Sequence, residues 1–343
     1  MRALVTGATG FIGSHFVDHL LEQEVEVRVL TRPVSDRTGL EARGLDVHVC
    51  DPTDEAAIAR AMSGVDMVFH VAGFMRGRRW EEYVRGNIEP SRALASAAAS
   101  LESPPQRLVY VSSLAAGGPA PTAEPLTESD PPRPIDHYGR SKLEAERQIM
   151  AFSDRLPITI VRPPVVYGPR DRNFTAMFRV ARRLGLVPTI GSPRKQISII
   201  HASDLARGGL LAARSEQAAG QLYYLAAGTH TMAELVHAIG HAVGRRVRRV
   251  RIPGWLARVA GEFGQLKWAI TGRPQLLARR KVRDMLQPRW ICSPARAEHD
   301  FGFTAAIDLH EGMRETALSY VEAGLIPPLS PRDEGAAGEH SSG

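Results

Sequence analysis

Short apolar runs rich in β-branched residues alternate, through the first half of the chain, with longer stretches whose apolar positions recur every three or four residues. The runs at 3–5, 25–30, 47–49, 67–71, 108–111 and 158–161 predict strands. The stretches at 12–22, 55–62, 80–100 and 138–152 predict helices. Continuous apolar strands, each followed by a helix, predict an α/β fold: a doubly wound parallel sheet with helices on both faces. A further strand at 221–226 extends the sheet. Residues 117–136 hold six prolines and no periodicity, which predicts a long ordered loop or lid. Beyond Gly168 the pattern becomes irregular, with short helices at 174–184 and 232–243. The expected division is a sheet domain at 1–165, to which 200–228 returns. A smaller, mostly helical C-terminal lobe is expected at 166–199 and 229–325, and a disordered Pro/Ser/Gly/Glu-rich tail at 328–343.

Composition narrows the class. Of 343 residues, 43% are hydrophobic and 23% charged, the balance of a chain that buries a full core. Two cysteines, Cys50 and Cys292, give no disulfide framework and suit a reducing compartment, both being expected as buried apolar thiols. With no apolar run of spanning length and no signal-peptide pattern before the first strand, the expected location is cytoplasmic. The net charge of +6 and pI near 9.6 invite a nucleic-acid reading. Only four of the 43 basic residues are lysines, a bias that codon usage explains more simply, so nucleic acid is not an expected partner.

A glycine loop, Thr6-Gly7-Ala8-Thr9-Gly10-Phe11-Ile12-Gly13, follows the first strand and opens the first helix. Gly7 permits the tight turn, Gly10 lets backbone approach a pyrophosphate, and Gly13 allows close helix–sheet packing. The N–H groups of the helix start, at Thr9, Phe11 and Ile12, then face the phosphates. That makes the sheet domain a Rossmann-type dinucleotide-binding domain. Where an NAD site places an acid after the second strand, the chain reads Thr31-Arg32. A guanidinium there suits a 2′-phosphate, so NADP(H) is favoured over NAD(H), with Arg37 as a second candidate. Asp51, beside Pro52, follows the third strand, where it accepts from the adenine amino group.

Tyr138-Gly139-Arg140-Ser141-Lys142 puts a phenol and an ammonium one helical turn apart. A neighbouring ammonium favours the phenolate, so Lys142 is expected to bring Tyr138 into the range of a useful acid/base. Ser112 and Ser113 end the fifth strand, where ligands bind in open α/β sheets. Ser113 is placed to hydrogen-bond a substrate oxygen. Ser112 is expected to bond to backbone, and Asn87 to orient Lys142 through water.

Together these residues resemble the extended branch of the short-chain dehydrogenase/reductase superfamily, the NAD(P)-dependent epimerase/dehydratase family. The likeness covers residues 1–230 and, more loosely, the rest to 320. Arg162-Pro163-Pro164-Val165-Val166-Tyr167-Gly168-Pro169 and His201-Ala202-Ser203-Asp204-Leu205-Ala206 match further landmarks in order and spacing. The resemblance implies a catalytic set of Ser113, Tyr138 and Lys142. It also implies cofactor contacts at Val71, Ala72, Gly73, Pro163, Val165 and Val166, and Lys142 on the ribose hydroxyls. A homodimer is a family-level expectation. Epimerases of the branch usually carry an acid where Thr31 stands, Asn where Val165 stands, and a diphosphate-binding Arg where Ile197 aligns. Dehydratases usually carry Asp-Glu where Leu114-Ala115 follow Ser113. These departures point to the 3β-hydroxysteroid dehydrogenase-like and dihydroflavonol reductase-like branch. The expected reaction is NADP(H)-dependent interconversion of a secondary alcohol and ketone on a fairly apolar steroid-, isoprenoid- or lipid-like substrate. Arg170, Arg172, Arg194 or Lys195 could replace the missing diphosphate contacts, which keeps a nucleotide-sugar epimerase with tightly bound NAD as the alternative. A non-catalytic NADP sensor or scaffold is a third reading.

From 245 to 296 there are fourteen basic residues and two acids, Glu262 and Asp284. Within that stretch, 253–270 has the spacing of an amphipathic helix. It either packs as core or lies peripherally on an anionic membrane surface. The pairs His15/His19 and His237/His241 have helical spacing but no carboxylate motif, and are expected as surface histidines rather than metal ligands.

Overall fold

A computed structural model describes residues 1–192, 194–271 and 279–329. The first six strands are β1 (Arg2–Thr6), β2 (Glu26–Thr31), β3 (Asp46–Val49), β4 (Met67–His70), β5 (Arg107–Val111) and β6 (Ile158–Arg162). They are followed by β7 (Val165–Tyr167), β8 (Leu186–Ile190), β9 (Gln196–His201), β10 (Gln221–Tyr224), β11 (Gly228–Thr231), β12 (Arg248–Ile252) and β13 (Arg289–Trp290). Seven strands form one parallel sheet in the order β10-β6-β5-β4-β1-β2-β3. The strand order reverses between β1 and β4, and at such a switch point the diverging loops open a crevice at the C-terminal strand ends.

Both faces of the sheet are covered, which is why its strands read as unbroken apolar runs. Leu4 and its neighbour Val5 point into different cores, one with Ile58, Leu94, Tyr110 and Ile149, the other with Phe16, Phe69, Leu205 and Phe303. A third core lies under the C-terminal lobe, where Tyr167, Phe178, Ile199, Ile239, Met313 and Tyr320 meet. There β7, β9, β11 and β13 form a small sheet, β8 pairs with β12, and the helices Met232–Ala242 and Leu309–Glu322 pack together.

Three expectations change. The helix expected over 80–100 is divided into Trp80–Tyr83, a π-turn at Val84–Ile88, and Glu89–Ser100. The π-turn coincides with a close approach, since a Cβ on Gly86 would lie 2.6 Å from the Cβ of Phe74. The tail is ordered further than expected: the Pro328 carbonyl accepts from Arg182 Nε at 3.1 Å and Leu329 packs on the third core. Residues 330–343 of the expected tail lie outside the described residues. Finally, 253–270 is helical within Gly254–Thr271, but the bulky side chains of its first half do not pack as core, while the side chains expected at 266, 268 and 270 lie outside the described ones. Trp255, Leu256, Val259 and Phe263 are exposed, while Ala257 is buried.

Candidate active site

The glycine loop after β1 lies against the loop after β4. Gly7 has φ +75°, and a Cβ there would stand 2.7 Å from the Ala72 nitrogen. A Cβ on Gly13 would stand 2.1 Å from the Gly7 carbonyl oxygen. No side chain larger than hydrogen fits at either place. Gly10 precedes the helix Phe11–Glu22, and no side chain caps it. The first-turn N–H groups therefore keep their donors and the positive dipole end for an anion. Thr9 is exposed, and Phe11 and Ile12 are half-buried beside it.

A relay not visible in the sequence holds the two loops together. Thr6 Oγ1 accepts from the Ala72 N–H at 3.2 Å and is hydrogen-bonded to His70 Nδ1 at 2.7 Å. His70 Nε2 is in turn hydrogen-bonded to Ser91 Oγ at 2.8 Å. Burial, with nearby Lys142, pushes His70 down to about 3, so the ring is neutral. This fixes Val71 and Ala72 next to the glycine loop. Gly73 follows, and a Cβ there would lie 3.7 Å from Asn87 Oδ1 and 3.8 Å from Lys142 Nζ.

At the end of β2, Thr31 is buried and its hydroxyl donates to the His48 carbonyl at 3.4 Å. Arg32 is exposed, and its guanidinium makes no hydrogen bond or ion pair with the described residues. Arg37, the second candidate for a 2′-phosphate, is instead occupied by its own loop, donating to the carbonyls of Pro33 and Ser35. Asp51 is exposed beside Pro52. Its Oδ1 accepts from the Thr53 N–H and hydroxyl, which hold the carboxyl below the usual range. The residues around the crevice thus fit a dinucleotide: glycine backbone at the phosphates, a free cation at the ribose end, and no acid after β2.

The candidate catalytic residues come from two elements brought close by a third glycine. Ser113 ends β5 and caps the turn Leu114–Gly117, its Oγ accepting from the Ala115 N–H at 3.1 Å. Asp136 caps the helix His137–Met150 through the Gly139 N–H at 2.7 Å. A Cβ on Gly139 would stand 2.2 Å from the Ala115 carbonyl oxygen, so only glycine lets this helix reach the Ser113 turn. Burial pushes the Tyr138 phenol up to about 12, against the pull of Ser113, while Asp136 and Tyr83 add to the rise.

In the protein alone the Lys142 ammonium donates to the Val111 carbonyl at 2.8 Å and lies 4.2 Å from the Tyr110 ring centroid. Burial pushes it down to about 7, with Glu146 holding it back. Asn87 is also largely committed elsewhere. Its amide donates to the Phe74 carbonyl and to Ser141 Oγ, and its Oδ1 accepts from the Phe74 N–H at 2.6 Å. Only the second lone pair of Oδ1 is left for a water toward Lys142.

Ser112 is bonded to a side chain rather than to backbone, since its hydroxyl donates to Glu146 Oε1. Glu146 in turn takes a bidentate pair from Arg162, at 2.9 and 2.6 Å, and Arg162 also donates to the Tyr224 hydroxyl. Pro163 follows β6 and its carbonyl accepts from the Leu114 N–H at 2.8 Å, while Val165 and Val166 are half-buried in β7.

Several other expectations are revised by the fold. Of the residues that might hold a diphosphate, Arg170 is paired with Asp18 at 2.6 Å and Lys195 donates to the Met285 carbonyl at 2.8 Å. Arg172 and Arg194 are exposed. His15 is buried rather than on the surface, held by the Pro169 carbonyl and Ser203 Oγ. Cys50 is only half-buried, whereas Cys292 is buried. Among the described residues, no cluster of His, Cys, Asp and Glu is arranged to hold a metal.

Comparison with known proteins agrees with this geometry. The model of the NAD dependent epimerase/dehydratase family matches residues 3–226. A ceramide reductase of Caulobacter vibrioides is 29% identical over 327 residues, covering 94% of this chain and 95% of that protein. A 2-alkyl-3-oxoalkanoate reductase of Shewanella oneidensis is 25% identical over 338 residues, covering 93% and 86%. The crystal structure of a UDP-glucose 4-epimerase from Thermotoga maritima, solved with UDP-glucose, superposes with a TM-score of 0.76 at 23% identity, covering 94% and 99%. It shows the shared fold. The chain therefore belongs to the NAD dependent epimerase/dehydratase family, in the extended short-chain dehydrogenase/reductase superfamily, and is an NAD(P)-dependent enzyme of that type.

Proposed function

We propose that the protein is an NADP(H)-dependent ketoreductase that interconverts a ketone and a secondary alcohol on a lipid-like substrate. The observation that carries the chemistry is the close packing of the Tyr138 helix, through Gly139, on the turn that Ser113 caps, with the phenol pushed up to about 12. At neutral pH Tyr138 is a protonated acid, the form needed to deliver a proton to a carbonyl oxygen as it gains charge. Ser113 hydrogen-bonds the same oxygen. Lys142, one turn along the helix and beside Gly73, donates to ribose hydroxyls and steadies the phenolate once Tyr138 has given up its proton. Bound NADPH supplies the hydride. The glycine loop, Asp51, Pro52 and the residues from Val71 to Gly73 would hold the dinucleotide, together with Pro163, Val165 and Val166. Arg32, unpaired where no acid follows β2, favours the phosphorylated cofactor.

The substrate class rests on two supports. Arg170 and Lys195 already have protein partners, and Val165 and Ile197 stand where polar contacts to a sugar nucleotide are usual. Two relatives that match nearly the whole chain are named as reductases of ceramide and of 2-alkyl-3-oxoalkanoates, both with long alkyl portions. In this proposal, residues 166–199 and 229–325 form the substrate-binding cap. The protein acts in the cytoplasm, peripherally at the membrane face through 253–270, and as a homodimer, which light scattering tests.

The first experiment is to denature purified protein, identify any released nucleotide, and titrate stripped protein with NADPH and NADH. Exchangeable binding that favours NADPH, with oxidation of NADPH by long-chain 3-oxo lipids, is the expected result. Tightly retained NAD, together with turnover of a UDP-sugar, would replace this reading with the epimerase one.

A further inference from the structure

We propose that the helix Gly254–Thr271, together with β12 before it, is a docking surface for an anionic lipid bilayer. The first half of the helix is inside out for a soluble lobe. Trp255, Leu256, Val259 and Phe263 are 66, 44, 46 and 69% exposed. At about 100° per residue these four share one arc of roughly 100°. Ala257 and Gly261 are buried on the opposite arc. Small residues thus face the protein, and the bulky apolar ones, two of them aromatic, face outward as a continuous stripe. Val250 on β12 is a further exposed apolar residue.

The charges around the stripe identify the partner. Arg246, Arg248, Arg249, Arg251 and Arg258 are exposed, and their side chains make no hydrogen bond or ion pair with the described residues. A second copy of this chain would bring the same positive field to the contact and be repelled. An anionic bilayer offers both complements at once: headgroup charge for the guanidinium groups, and an acyl boundary for the aromatic and aliphatic tips. No described helix is long and apolar enough to cross a membrane, so the element lies along the surface.

The surface connects to the catalytic end of the molecule. The helix Arg279–Leu286 leads into β13, and the next residues, Ile291 and Cys292, pack with Leu114 and Tyr224, with Leu126 bridging to Cys292. Leu114 adjoins Ser113. Docking would therefore hold the wall of the active site at the surface from which a lipid-like substrate comes. This use of the surface rests on the proposed substrate class, whereas the surface itself does not.

The test is sedimentation of the full chain with vesicles of phosphatidylcholine, alone or with about one third phosphatidylglycerol. Binding is expected only to the anionic vesicles, at low salt, and lost at high salt. Replacing Arg248, Arg249 and Arg251 by Ser should weaken it about a hundredfold, near fivefold per charge. The pair Trp255→Ser and Phe263→Ser should weaken it at least about tenfold. All variants should keep the parental thermal midpoint and the parental affinity for NADPH. Parental protein that stays in the supernatant at low salt overturns the docking proposal, whatever its activity. So does a Trp255/Phe263 variant that sediments like the parent, or one whose only change is from dimer to monomer. Docking without turnover of any ketone would instead overturn the ketoreductase reading and leave the surface standing.

Discussion

Tyr138 and Lys142 sit one turn apart on one helix, yet burial pushes both toward neutrality: the phenol up to about 12 and the ammonium down to about 7. Tyr138→Phe removes the proton donor and leaves the dinucleotide crevice intact, so kcat should fall by at least about a hundredfold. NADPH affinity, followed by fluorescence titration, should stay the same. The Lys142 shift also predicts a pH trend. Its folded value lies below its ordinary value of 10.5, so between about 7 and 10.5 the unfolded chain binds the extra proton. Stability then rises with pH through that window, and the cost of keeping this lysine buried is fully present only below about 7. Lys142→Met should therefore compare best with the parent at neutral pH and lose ground as pH rises toward 10.5, as read from thermal midpoints. Arg32→Ser should weaken NADPH about tenfold or more and leave NADH nearly unchanged. The candidate catalytic set was readable because Tyr138 and Lys142 lie one helical turn apart and Ser113 ends an apolar strand. The Thr6–His70–Ser91 relay was not, since its partners are 64 and 21 residues apart and nothing local marks His70 as more than the end of a strand.

At the scale of elements, the helix His137–Met150 joins catalysis to the sheet. On its inner side Glu146 takes Ser112 and Arg162, and both members of the ion pair have side chains 5% exposed. Glu146→Ala would leave the Arg162 charge buried without its partner and should cost about 3–5 kcal/mol in urea denaturation. Replacing both residues by Met should cost much less, because no charge is then stranded. Periodicity located this helix and those at Phe11–Glu22, Glu55–Met62, Thr175–Leu184 and Met232–Ala242 to within a residue or two, and gave no helix at Ala202–Arg214. It missed the π-turn at Val84–Ile88, which tertiary contact with Phe74 accompanies, and it left open which way the 253–270 helix faces. A hydrophobic period says that a helix has two unlike faces. Which face turns inward depends on what is packed beside it, and here the small residues won that place.

Across the whole molecule, the crevice is assembled from the ends of β1, β2, β4, β5 and β6, so a ligand that fills it ties together most of the sheet. A dinucleotide present at 100 times its Kd should add about 2.7 kcal/mol to the unfolding free energy. The rise in thermal midpoint should be larger with NADPH than with NADH at equal concentration. The amino-acid sequence by itself determined the alternation of strands and helices, the parallel sheet that follows from it, the glycine loop and the Ser/Tyr/Lys set. Each of these depends on neighbours in the chain, on the periods of helix and strand, and on backbone conformations that only glycine adopts. Tertiary structure alone decided that Arg37, Arg170 and Lys195 already have partners, that Asn87 holds Phe74, and that Lys142 donates to Val111. It also decided that Trp255, Leu256, Val259 and Phe263 face outward. Those outcomes turn on burial and on contacts between distant segments, and a linear pattern does not encode distance in space.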